Sequence, residues 1–87
     1  MELLFVVEHT FWLDGVGLVL APGMPLDRPL VAGTPLFLVS PRGTHMTAMV
    51  RPLPTLPSKS PTVPIAVDLA KDEVPVGTRV FGRPAPS

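Results

Sequence analysis

The sequence predicts an all-β fold, a small closed six-stranded β-barrel with Greek-key-like connections. Three observations predict it. Thirteen prolines are spread over 87 residues, and each interior proline deletes a helix donor and clashes with the preceding turn, so no window of a dozen residues keeps helical periodicity. Between the breaks lie short runs rich in Val, Leu, Phe and Thr, each bounded by Gly, Pro or Asp, which is how strands read. Closure also removes the sheet edges that would otherwise invite aggregation of so hydrophobic a chain.

The elements follow in order, as one domain over residues 1–87. LLFVVEHTF at 3–11 is apolar at both parities as far as Val7 and then turns polar at Glu8 and His9, so one end of this strand is expected to be buried on both sides. DGVG at 14–17 is an Asp-Gly turn signal, and LVLA at 18–21 is the returning strand. Pro22, Gly23, Pro25 and Pro29 read as a loop. PLFLVS at 35–40 and THMTAMVRPL at 44–53 flank a Pro-Arg-Gly turn. PTLPSKSPTVP at 54–64 carries four prolines and reads as an exposed loop outside any paired ladder. IAVDLA at 65–70 and TRVFG at 78–82 complete the six strands, and 83–87 is expected to be a flexible tail. Leu4, Val6, Val19, Leu36, Leu38, Met49, Ile65, Val67, Leu69 and Val80 are the expected core.

Composition narrows the function classes. Hydrophobic residues make up 46% and charged residues 16%, which separates the chain from disordered polar tails. Seven basic and seven acidic side chains cancel, leaving no net field to hold a polyanion or an anionic bilayer. Without cysteine there is neither a disulfide nor a thiolate metal site, and a cytoplasmic location is expected. The greasy stretch at 1–23 reads as neither signal peptide nor span. Glu2 stands where positive charge belongs, and Glu8, His9, Asp14 and two glycines interrupt the roughly 20 apolar residues a span needs. No membrane partner is expected.

Two similar phrases, VAGTPLF at 31–37 and PVGTRVF at 75–81, each place a glycine just ahead of an alternating strand, where a positive φ lets the backbone turn sharply. Three longer segments then stand in a fixed order: FVVEHTFWLDGVGLVL at 5–20, VAGTPLFLVSPRG at 31–43 and IAVDLAKDEVPVGTRVFG at 65–82. This ordered set resembles the second domain of translational GTPases such as elongation factor Tu, the six-stranded translation-protein β-barrel. The resemblance implies that the two glycines open two different strands of one barrel, and so accounts for the repeated phrase. A barrel of this size has room only for its own side chains, which leaves loops and outer wall for function.

Departures from that family limit what it implies. No Gly-x-x-x-x-Gly-Lys-Ser/Thr loop is present, so the chain is not a GTPase. Val16 stands where the first corner usually carries a basic residue. In the family, the strand matching residues 46–53 helps to hold the aminoacyl end of tRNA; MTAMVRPL keeps Arg51 but lacks the acidic and aromatic residues of that pocket.

The residues that could carry chemistry are few. Ser40, His45 and Asp68 lie in no nucleophile motif. Glu8 and His9, with Asp14 nearby, suggest a metal site on composition, yet adjacent strand residues face opposite ways. No enzyme activity, cofactor or metal is expected. The candidate binding residues are Trp12, Arg42, Arg51 and Lys59. Trp12 reads either as an interface anchor or as a cap on the barrel end. Arg28, Arg42, Arg51, Lys59, Arg79 and Arg83 read as scattered solubilising charges, or as an RNA patch where several converge. The expected function is a stand-alone, non-catalytic interaction module with a protein partner. The alternatives are an RNA- or ribosome-contacting module and, after it, a small enzyme, and the oligomeric state stays open.

Overall fold

The computed structural model describes residues 2–25, 28, 30–53 and 62–82. Short β-branched and aromatic runs separated by Gly and Pro give seven strands: β1 (Glu2–Val6), β2 (His9–Leu13), β3 (Gly17–Pro25), β4 (Pro35–Val39), β5 (His45–Arg51), β6 (Thr62–Val67) and β7 (Arg79–Gly82). A single 3-10 turn, Lys71–Glu73, follows β6. The strands form one antiparallel sheet in the order β1-β7-β4-β5-β6-β3-β2. No helix among the described residues is long and apolar enough to cross a membrane.

Seven strands replace the expected six because the run at 3–11 is not one strand. At Val7 its backbone still faces β7: Val7 N–H donates to Thr78 O at 2.9 Å, and Gly77 N–H donates to Val7 O at 2.8 Å. One residue later it has changed partner, and Glu8 N–H donates to Ala21 O of β3 at 2.9 Å. The chain therefore bends between the two, leaving β1 and β2 as the two edges of the sheet. No ladder joins those edges, so the hydrogen-bonded sheet is open where a closed one was expected. β5 makes a similar change: its residues 45–49 pair with β4, and Val50 and Arg51 pair with β6.

The hairpin joining β2 to β3 turns at Asp14-Gly15-Val16. Val16 N–H donates to Leu13 O at 3.0 Å, and Gly15 takes φ +82°, the left-handed conformation that a type II turn requires at its third position. Beyond the turn β3 runs on to Pro25, through residues read from the sequence as loop. Leu20 pairs with Ile65 and Met24 with Val63, so Ala21, Pro22 and Gly23 together oppose Pro64 alone. That bulge also explains why β6 begins at Thr62, inside the stretch 54–64 expected to be a loop. Pro64 sits where the ladder is interrupted and no N–H is called for. The rest of that loop, 54–61, and the expected tail, 83–87, lie outside the described residues.

The core is filled by Phe5, Val7, Leu18, Leu20, Met24, Leu36, Leu38, Ala48, Val50, Ile65, Val67, Val74 and Val80. Of the expected members, Leu36, Leu38, Ile65, Val67 and Val80 belong to it, and Leu4 and Leu69 pack against it partly buried. Val19 is fully buried outside that cluster. Val6 and Met49, 42% and 50% exposed, do not belong. A bulge between Leu3 and Phe5 shifts the alternation of β1, so that Phe5 and Val7 turn inward and Val6 outward. In β5 the inward positions are Ala48 and Val50, which leaves Met49 on the outer face. Val74 is the one core residue contributed by the connection between β6 and β7. The turn before it is held by Glu73, whose carboxylate accepts Ala70 N–H and whose own N–H donates to Ala70 O, both at 3.0 Å.

Candidate functional site

Strand alternation sends every second residue outward, and on β1, β7, β4 and β5 those residues make a mostly apolar wall. Register places Leu3 opposite Phe81, Phe81 opposite Phe37, and Phe37 opposite Thr47, in one row across four strands. Leu3 is 47% exposed and Phe37 39%, with Phe81 half-buried between them. Pro35 and Met49 pair beside this row, and both are exposed. A second row runs Val6, Arg79, Val39, His45. Soluble monomers rarely leave a contiguous apolar surface of this kind without a use for it. The ladder that aligns the rows is the same antiparallel pairing that buries Leu36, Leu38 and Val80 on the inner face.

The wall's outward positions are also one-signed. Among the described residues they carry the cation Arg79 and the two-nitrogen ring of His45 and no carboxylate, and the nearest acid at the β5 edge, Asp68, is engaged by Met49 N–H at 2.9 Å. Arg51 pairs with β6 and its side chain lies over Gly17 of β3. Arg79 makes no ion pair among the described residues, where the salt bridge present is Arg28 to Glu2 at 2.8 Å, between two exposed side chains.

Of the four residues expected to bind a partner, the three among the described residues do not converge. Trp12 lies near the end of the edge strand β2, opposite the buried Leu18 and 51% exposed. Arg42 is exposed in the β4–β5 turn, where Ser40 N–H donates to Thr44 O and Gly43 N–H donates to Ser40 O. Arg51 ends β5, opposite Ala66. Six strand steps of about 3.3 Å separate the two ends of β5, so the arginines stand roughly 20 Å apart. Lys59 lies outside the described residues. The row of Leu3, Phe81 and Phe37 escaped the sequence reading because it joins residues on strands that are not consecutive. The one usable signal was alternation within PLFLV, which exposes Phe37 once Leu36 and Leu38 are inward.

Two of the three polar residues considered for catalysis, Ser40 and Asp68, have structural duties. Ser40 Oγ accepts Thr44 N–H at 3.0 Å and so fixes the β4–β5 turn. Asp68 Oδ1 accepts Met49 N–H at 2.9 Å, extending the contact between β5 and β6 past their short ladder. No group of three or more His, Asp or Glu among the described residues is placed to hold a metal ion. Asp68→Ala is expected to lower stability by about 1 kcal/mol and to speed amide exchange at Met49. Unchanged exchange there would show that the carboxylate does not protect the β5 edge.

A cavity of about 230 Å³ opens between β5 and β6, lined by Met24, Leu30, Val50, Leu53, Val63 and Ile65 among others. Among the described residues of its wall, the charged group is Arg51. No known protein family, curated protein or solved structure matches the chain.

Proposed function

We propose that the chain is a non-catalytic interaction module of the translation-factor barrel kind, which docks a protein partner on its outer wall. The observation that carries this reading is the outward row of Leu3, Phe81 and Phe37 on a sheet whose inner face packs the hydrophobic core. Large apolar and aromatic side chains held at fixed spacing are what a protein interface uses as anchors. In this reading the sheet acts as a closed cylinder, because β1 and β2 are consecutive stretches of one bent strand, and residues 7 and 8 hand the backbone bonds from β7 to β3 without a gap. An RNA role is less favoured, since Arg42 and Arg51 stand at opposite ends of β5.

The test is capture of partners from a native lysate by the full chain and by a Leu3→Ser, Phe37→Ser variant, with and without nuclease. We expect a protein that survives nuclease treatment and is retained by the parent chain but not by the variant. Capture that disappears with nuclease, or that is equal for both chains, would overturn the proposal.

A further inference from the structure

We infer that the segment docked on this wall is acidic as well as apolar, with its carboxylates set against Arg79; the inference rests on the docking reading above. Along β7, Phe81 and Arg79 are both outward, so the apolar row and the charged row are neighbours on one surface. Leu3, Phe81 and Phe37 form the first. In the second, Arg79 is flanked on either side by the outward Val6 and Val39, with His45 beyond Val39.

That setting decides the sign of the partner. A guanidinium between two aliphatic side chains loses part of its hydration when a partner covers the wall, and no carboxylate on the outward positions of these four strands compensates it. Glu2 sits at the end of β1 opposite Gly82 and is engaged by Arg28. Burying the arginine unpaired is unfavourable, whereas a carboxylate from the partner restores its hydrogen bonds and adds a charge-assisted pair. A second copy of this chain brings another Arg79 and His45 and, at the β5 edge, only Asp68, which Met49 N–H already engages, so like charges weigh against self-association. The flat phenylalanine pair also suits the bases of a single-stranded nucleic acid. Against that stands the aliphatic make-up of the remaining positions, Leu3, Val6, Val39, Pro35 and Met49, which offer hydrophobic contact but no further stacking planes or phosphate donors.

The experiment titrates isotope-labelled full-length protein with three probes and follows backbone amide shifts. The probes are a short peptide bearing a Leu-Leu-Phe cluster beside an Asp-Glu pair, the same peptide with Lys-Lys in place of the acids, and an oligothymidine. The expected result is saturable shifts at Phe37, Arg79 and Phe81 with the acidic peptide, weakened about tenfold by Arg79→Glu and for the most part retained in Arg79→Lys. Equal binding of the basic peptide, or indifference to Arg79→Glu, would sink the charge inference while leaving wall docking intact. Preferential oligothymidine binding, or dimerisation through the wall in sedimentation, would overturn it in favour of nucleic acid or a second copy. Should no probe shift the wall and the lysate capture be indifferent to Leu3→Ser, Phe37→Ser, the docking reading itself fails.

Discussion

Gly23→Ala is expected to destabilise the fold by about 3–5 kcal/mol, a large share of the roughly 5–15 kcal/mol that holds a small domain together. Two effects add. Gly23 has φ +86°, a conformation that resists a Cβ. In addition, a Cβ built there overlaps the carbonyl oxygen of Val63, and lies 2.6 Å from Val63 C and 2.7 Å from Pro64 Cα. These are backbone atoms of the facing strand and can yield only if β3 and β6 part. Gly33 supplies the control, since its φ is +93° but its Cβ would meet nothing within 4 Å. Gly33→Ala should therefore cost about 1 kcal/mol from backbone strain alone. Urea unfolding of both variants separates the contributions, and equal midpoints would mean that the close approach at the bulge is absent.

Val74→Asp is expected to cost about 4 kcal/mol. Val74 is 1% exposed and belongs to the core cluster, so a carboxylate in its place loses water without gaining a partner. Two residues on, Val76 is 61% exposed, and Val76→Asp should change stability by no more than about 0.5 kcal/mol. The contrast tests whether the connection after β6 seals the core or merely passes over it. Thermal melts of the two variants decide the matter, and similar losses would favour the second description.

The all-β class was legible because proline and glycine punctuation needs no tertiary information. Much of the core was legible for a related reason: Leu36 and Leu38, or Ile65 and Val67, stand two apart in regular strands. Parity failed at Val6, where a bulge resets the alternation, and at Met49, which shares its face with Thr47 and whose size alone did not reveal that the smaller Ala48 points inward. A proline breaks a ladder, so Pro64 reads as loop, yet a ladder interrupted by the three residues facing it has a place for one. The candidate wall was hidden more deeply. Arg42 and Arg51 could be read as exposed cations, but their separation follows from strand length and direction. The neighbourhood of Leu3, Phe81 and Phe37 depends on β1 and β4 both flanking β7, an order that local propensity does not encode.

The pairing of Glu2 with Gly82 has a mechanical consequence. Both ends of the β1–β7 ladder emerge on the same side, about 5 Å apart as facing residues of an antiparallel pair are. Tension applied at Glu2 and Gly82 loads this ladder in the peeling direction, opening one bond pair at a time instead of shearing all of them together. Pulling on Glu2 and Gly82 would thus unzip this ladder rather than slide its strands past each other.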